Sequence, residues 1–366
     1  MTGKSNQIIL LGTISAIMIL GVIVLASVSG PLSQEEFGTP YYFLRHQLLY
    51  GFLPGIILGF LAYRINLSSL KKSVPFLLLA TLVLMGMVFL SPFGQTAQGA
   101  SRWLDLGPIS FQPAEFLKLA FILYLAVWLA ARTDKGNRKN KISQTFFAFG
   151  IVVGVVSLLL IFQPDISTLA VISLTALIMY FLAQTPFWHS LLTIALGITG
   201  LALLIKFASY RFNRLLVFLN PDTDPMGIGY QIKHALIAIG SGGIGGLGLG
   251  MSNQKFGLLP QSMSDSLFAI FAEETGFVGA LILLALFVVF LWVGFKIAKG
   301  KKDKFSQLCA FGITSWIILQ GLINIGSIIG ILPITGIPLP FISYGGSALI
   351  VELIGVGILL NIARKE

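Results

Sequence analysis

The sequence predicts an all-α integral membrane protein of about ten transmembrane helices, and three observations carry that prediction. Hydrophobic residues make up 56% of the 366 residues and charged residues 10%, against about 25% charged in ordinary soluble domains. Mean hydropathy is +0.91. Apolar runs near the length that crosses a hydrocarbon core, about 20 helical residues, recur at roughly 7–29, 42–63, 74–91, 113–131, 143–162, 166–184, 188–207, 272–295, 306–332 and 344–362. Such a composition excludes a disordered chain, and residues 1–366 read as one polytopic domain.

What flanks each run supports its assignment. The first, Ile8 to Val28, is too long and too closely followed by further spans to be a cleaved signal peptide. Arg64, Lys71 and Lys72 mark the turn between the second and third spans. Arg132, Lys135, Arg138, Lys139 and Lys141 mark the turn between the fourth and fifth. Lys296, Lys299, Lys301, Lys302 and Lys304 separate the eighth and ninth spans, and Arg364 and Lys365 follow the tenth. Lys and Arg collect in cytoplasmic loops, so both termini are expected inside, with Lys4 on the same side. The net charge of +10 is therefore an orientation signal and not a folded basic surface for nucleic acid.

The acids fall the other way. Asp134, Asp303 and Glu366 share the basic side, whereas Asp105, Asp165, Asp222, Asp224, Asp265, Glu273 and Glu274 lie outside, with Glu115 and Glu352 near outer span ends. Ionisable residues in or beside spans usually line cavities or pair with one another, so the outer face holds the candidate chemistry. The lone Cys309 supports neither an intrachain disulfide nor a zinc site.

Residues 208–271, between the seventh and eighth spans, are expected to form a large structured external loop, since a segment of that length usually has a function. Its stretch Ile232 to Ile239 suits a short amphipathic or re-entrant helix ending at Gly240, followed by a glycine cluster that permits close backbone approach. Gly240, Gly242 and Gly245 spell G-x-G-x-x-G, but no βαβ unit surrounds them, so they read as packing glycines and not as a dinucleotide site.

Asp265 stands before an apolar run and admits two readings: a cap on the helix beginning near Leu267, or a carboxylate that takes a proton from a sugar hydroxyl. Glu115 and Lys118, three residues apart, share one helical face and can pair at a span entrance. Arg102 beside Trp103 suits a phosphate at headgroup level or a plain surface anchor.

GASRWLDLGPISFQPAEFLKLAF, the Gln163-Pro164-Asp165 triplet, NPDTDPMGIGYQIKHALIAIGSGGIGGLGLG with LPQSMSDSLFAIFAEETG, and ISYGGS occur in this order across nearly the whole chain. Together they resemble the SEDS family (shape, elongation, division and sporulation), polytopic peptidoglycan glycosyltransferases that include RodA and FtsW. Departures are Ser264-Asp265-Ser266-Leu267 where members commonly read T-D-F-I, Ser167 in place of a glycine, and Thr275 in place of a leucine. The stretch QKFGLLP is closer to the division branch, typified by FtsW.

The resemblance implies polymerisation of lipid II at the outer face of the bacterial cytoplasmic membrane, beside a class B penicillin-binding protein and other divisome or elongasome membrane proteins. It makes Asp265 the catalytic base and puts Arg102, Glu115, Lys118, Gln231, Lys233 and Ser264 on the substrate side. A divalent cation, Mg or Mn, is a candidate helper for the leaving pyrophosphate. Joining an acceptor hydroxyl to an α-linked donor with a β-linked product inverts the anomeric carbon, for which one carboxylate suffices. Two rivals stand: a flippase for the lipid-linked precursor, and a non-catalytic scaffold in which Asp265 is dispensable.

Overall fold

The computed structural model describes residues 3–89, 94–97, 100–105, 110–133, 141–206 and 209–364. Lys135, Arg138, Lys139, Lys365, Asp134 and Glu366 of the charge argument lie outside them. Helices occupy all ten predicted spans: α1 (Gly3–Phe37), α2 (Tyr42–Gln47) continuing through a π turn (Leu48–Phe52) into α3 (Leu53–Arg64), α4 (Leu67–Met87), α5 (Pro113–Thr133), α6 (Lys141–Phe162), α7 (Ile166–Leu182) and α8 (Phe187–Lys206). After the long connection, in which α9 (Ser209–Leu219) and α10 (Ile228–Gly242) form, come α11 (Leu267–Lys299), α12 (Lys304–Ile328) and α13 (Gly346–Arg364). Among the described residues nine helical segments are long and apolar enough to cross a membrane, and α7 is a shorter apolar helix.

Local signals set the ends. Asn66 accepts from Ser68 N–H at the start of α4, Asp165 from Thr168 N–H at the start of α7, and Asp303 from Ser306 N–H at the start of α12. Each side-chain oxygen satisfies one of the free donors of a helix N-terminus. Helix α12 is the central post, with residues buried on every side, whereas Ser190 is the one buried residue of α8. Pairing of α3 with α13 rests on glycine. A Cβ at Gly59 would press on the Leu353 carbonyl oxygen and one at Gly357 would overlap the Gly59 carbonyl oxygen, the small-residue contact that lets membrane helices approach closely.

Three details differ from the sequence expectation. The helix expected at 232–239 runs from Ile228 to Gly242, because the polar start GYQ is held by Asp224, whose carboxylate accepts from Ile228 N–H at 2.8 Å. The eighth span begins at Leu267 and not at 272, and α11 is broken at Gly276, where φ is 66°. A short antiparallel sheet, β1 (Gly94–Ala97), β2 (Ala100–Asp105) and β3 (Ser110–Phe111), precedes α5 in an otherwise helical chain.

The break at Gly276 explains the glycine cluster. It frees the carbonyls of Glu273 and Glu274, which accept from Leu247 and Gly248 N–H at 3.0 Å each, and the amides of Phe277 and Val278, which donate to Gly243 and Ile244 O at 2.9 and 3.2 Å. A Cβ at Gly242 would overlap the Ala272 carbonyl oxygen, and one at Gly246, where φ is +78°, the Glu274 carbonyl oxygen. The glycines therefore serve backbone-to-backbone packing.

Gly357→Ala is expected to destabilise the fold by about 1–3 kcal/mol through overpacking. Gly154→Ala on α6, where a Cβ meets nothing within 4 Å, should leave stability unchanged or slightly raised. Thermal midpoints of the two purified variants, measured in the same detergent, check the contrast.

Candidate active site

Asp265 lies where two loops meet, the segment 243–266 that leads into α11 and the segment 329–345 between α12 and α13. Ser266, not Asp265, is the N-cap residue of α11, and no side chain caps that end. The helix-cap reading of the aspartate is not what the geometry shows. Its carboxylate takes a hydrogen bond from Ser264 Oγ at 3.3 Å, and its backbone carbonyl accepts from Asn324 Nδ2 at 2.8 Å.

Asn324 donates from the same amide nitrogen to Ile337 O at 2.7 Å. Ser343 Oγ donates to Ser264 O, and Tyr344 N–H donates to Met263 O at 2.9 Å. Gly336 passes the carboxylate so closely that a Cβ there would stand 3.7 Å from Asp265 Oδ2. Gln231 on α10 donates to Ser266 Oγ at 2.9 Å. Asp265 is thus fixed through its backbone and neighbours, and its carboxylate is met by hydrogen bonds from Ser264, Gln231 and the backbone of residues 265 and 266 while being withdrawn from water.

That burial has an electrostatic result. The side chain is 7% exposed, and burial pushes its pKa up to about 6, against the opposing hydrogen bonds of Ser264 and Gln231. Removal from water disfavours the charged form. A carboxylate that titrates near neutrality is suited to accepting a proton.

Glu115 and Lys118 form the expected pair, 2.7 Å apart and almost wholly buried. Lys118 Nζ also donates to Gln320 Oε1 at 2.7 Å and lies 5.4 Å from the centre of the Trp316 ring. Gln320 and Asn324 are one turn apart on α12, so the face that holds Lys118 also holds Asp265. The polar pair Gln320 and Asn324 inside an apolar span was the signal for this link, and Glu352, which meets Gln320 at 3.1 Å, completes it.

Other expected site residues are engaged elsewhere. Arg102 on β2 donates from Nε to Gln163 O at 3.2 Å and from Nη2 to Pro164 O at 2.5 Å, clamping the turn between α6 and α7. Lys233 is an exposed partner of Asp222, although Gln231 two residues earlier points inward. Arg214 on α9 reaches Ile334 O at 3.3 Å, three residues short of the carbonyl that Asn324 holds. A second buried pair, Lys255 and Glu274 at 3.3 Å, ties the loop to α11, and Ser27 of α1 bonds both partners. Among the described residues no three His, Cys, Asp or Glu side chains come together as metal ligands, so a divalent ion has no protein cage of that kind there.

A bundle of membrane-length helices with a buried carboxylate, Asp265, held where two loops meet defines a multi-pass membrane protein with a candidate site beside the helix ends. The chain belongs to the FtsW, RodA and SpoVE family of cell cycle proteins, whose family model matches residues 7–366. Stage V sporulation protein E of Bacillus subtilis is 37% identical over 365 residues, 99% of this chain and 98% of its own length. The probable peptidoglycan glycosyltransferase FtsW of Coxiella burnetii is 39% identical over 356 residues, covering 96% and 94%.

Two solved structures share the fold at 27% identity. A chain of a peptidoglycan synthase complex, described as coordinating polymerization and crosslinking, matches with a TM-score of 0.77 over 97% of this chain and 96% of that one. The rod shape determining protein RodA of Thermus thermophilus matches with a TM-score of 0.71 over 97% and 95%.

Lys118→Met leaves Glu115 as an uncompensated buried charge and is expected to cost about 3–5 kcal/mol. Glu115→Gln combined with Lys118→Met removes both charges and should recover part of that loss. A double-mutant cycle on thermal unfolding reads the coupling, and additive effects would show that the pair is not coupled.

Proposed function

We propose that this chain is an inverting peptidoglycan glycosyltransferase that polymerises lipid II at the outer face of the bacterial cytoplasmic membrane. The observation that carries the reading is Asp265, a buried carboxylate lifted toward neutral pKa at the meeting of two loops. The acceptor 4-hydroxyl of an N-acetylglucosamine attacks the anomeric carbon of the donor N-acetylmuramic acid, its proton passes to Asp265 Oδ, and undecaprenyl pyrophosphate leaves. A hydroxyl is a weak nucleophile, so a positioned base acts as the bond forms. Attack from the face opposite the leaving group inverts the centre without a covalent intermediate.

Charge on the departing pyrophosphate calls for cations. Arg102 is the external guanidinium that the family motif assigns to it, and Arg214 beside the 329–345 loop is a second. Lys118 is enclosed by Glu115 and Gln320, so in this conformation it sets the charge balance beneath the site and does not face a phosphate.

The orientation that suits this chemistry has both termini cytoplasmic and 208–271 outside, supported by the Lys and Arg asymmetry. The likeness to a chain of a peptidoglycan synthase complex supports a class B penicillin-binding protein as partner, crosslinking the strands that this chain extends.

Asp265→Asn removes the proton acceptor at nearly constant size. Turnover of purified lipid II, with the cognate transpeptidase present, is expected to fall by about 10²- to 10⁴-fold. In the wild type, kcat/KM should rise with pH through about 6 as Asp265 ionises, and the variant should lack that limb. The stability effect runs the other way. A carboxylate whose folded pKa is raised favours the fold below its unfolded value and loses that contribution as pH rises through about 6, so the variant should match or exceed wild-type stability above that pH. Wild-type turnover in Asp265→Asn would return the chain to the flippase or scaffold reading.

The orientation is checked by a cysteine placed at Asn253 in a Cys309→Ser background. Labelling by a membrane-impermeant reagent from outside is expected. Labelling only from the cytoplasmic side would separate Asp265 from the external sugars and end the proposal.

A further inference from the structure

Glu352 lies inside α13, 2% exposed, and neither the base nor the leaving-group chemistry uses it. It is the second carboxylate facing a single ammonium, since Glu115 already pairs with Lys118 at 2.7 Å. A second buried acid beside one ammonium is costly in a dry interior whichever form it takes, so an energetic reason for Glu352 has to come from what it holds.

Its two oxygens hold different things. Oε1 accepts from Gln320 Nε2 at 3.1 Å, and Oε2 accepts from Phe341 N–H at 2.8 Å. Phe341 has φ of 64°, a left-handed conformation that a bulky residue keeps only where its surroundings impose it. Gln320 has its hydrogen-bonding capacity filled: Oε1 accepts from Lys118 Nζ at 2.7 Å and Trp316 Nε1 at 3.0 Å, while Nε2 donates to Pro338 O at 3.1 Å and to Glu352. With two donors on one side and two acceptors on the other, the amide has one satisfied orientation.

Both ends of this arrangement reach the loop that cradles Asp265. Pro338 follows Ile337, whose carbonyl shares the Asn324 amide with the Asp265 carbonyl. Phe341 precedes Ser343 and Tyr344, which bond the backbone of Ser264 and Met263. We infer that Glu352 is a positioning residue: it locks the Gln320 amide and the strained Phe341 turn together, and so sets the 337–344 loop against Asp265 and couples it to the Glu115–Lys118 pair. The inference rests on the glycosyltransferase reading only for its consequence in turnover; the mechanical link stands on the hydrogen bonds alone.

Glu352→Gln tests it. Phe341 N–H and Gln320 Nε2 are met by different oxygens of Glu352, and an amide replaces one of them with NH₂, which would face a donor whichever way it turns. In the full-length protein with its transpeptidase, hydrogen exchange over 337–345 is expected to accelerate. Lipid II turnover should fall about tenfold or more, as misplacement near the chemistry does, with the half-saturating lipid II concentration unchanged.

The exchanged pair, Q320E with E352Q, restores acceptors for Lys118, Trp316 and Phe341 N–H and a donor between the two side chains, but leaves Pro338 O without the donor that Gln320 supplies. It should recover turnover and protection in part, with the segment at Phe341 protected more than that at Pro338. Should E352Q not yield folded protein, Glu352→Asp keeps both acceptors one methylene short and is read by the same measurements.

Unchanged exchange at 337–345 would overturn the link. Faster exchange with wild-type turnover would overturn the positioning role, as would a turnover loss that follows a falling thermal midpoint and is not recovered in the exchanged pair. If the wild-type protein fails to polymerise lipid II, it is the functional reading that fails, and the exchange measurement still decides whether Glu352 holds the loop.

Discussion

A helix interrupted within a membrane protein must find new partners for the carbonyls and amides it releases, because hydrocarbon offers none. That constraint organises the part of this molecule around Asp265. The positive-φ break at Gly276 leaves four backbone groups of α11 to be met by residues 243–248, and meeting them draws a glycine-rich loop onto the helix with no room for a Cβ at Gly242 or Gly246. Residues 267–275 become an inner helical arm, buried almost throughout, and Asp265 stands just ahead of it. The location of the carboxylate thus follows from a hydrogen-bond requirement at Gly276, a full helical arm away.

The buried charges follow a related logic. An ion pair in a low-dielectric interior is a weak source of net stability, since desolvation offsets most of the attraction, but it strongly penalises arrangements in which the partners separate. Lys118 with Glu115 joins α5 to α12 through Gln320. Lys255 with Glu274 and Ser27 joins the loop to α11 and α1. Glu273 is met in the same way by Ser252 and by Asn253 N–H. Each set specifies one relative placement of elements distant in sequence, which a site built on loops requires.

The spans were legible because their apolar runs are long and their flanking bases unambiguous. The start of α11 was not: Glu273 and Glu274 interrupt the run, and it takes partners from residues 241–255 and from Ser27 of α1 to make two adjacent acids tolerable inside the protein. The strands before α5 are too short to carry an alternating pattern. Asp265 was legible from its neighbours and Glu115 with Lys118 from their spacing, but spacing says nothing about Gln320 or Glu352. Those two meet across 32 positions, and Gln320 meets Lys118 across 202. The cap reading of Asp265 failed because Ser266 occupies the cap position.

Helix α8 has a further consequence. With Ser190 as its one buried residue and large side chains such as Trp188, Leu196 and Ile198 facing outward, the lipid itself is its principal neighbour. Its tilt and depth are therefore governed by hydrocarbon thickness and acyl-chain packing as much as by the polypeptide. Helix α9, next in the chain, lies against the 329–345 loop by way of Val217, Ile334 and Arg214. In such a molecule the surrounding membrane belongs to the architecture: at this edge the hydrocarbon, and not a neighbouring helix, completes the packing of the chain.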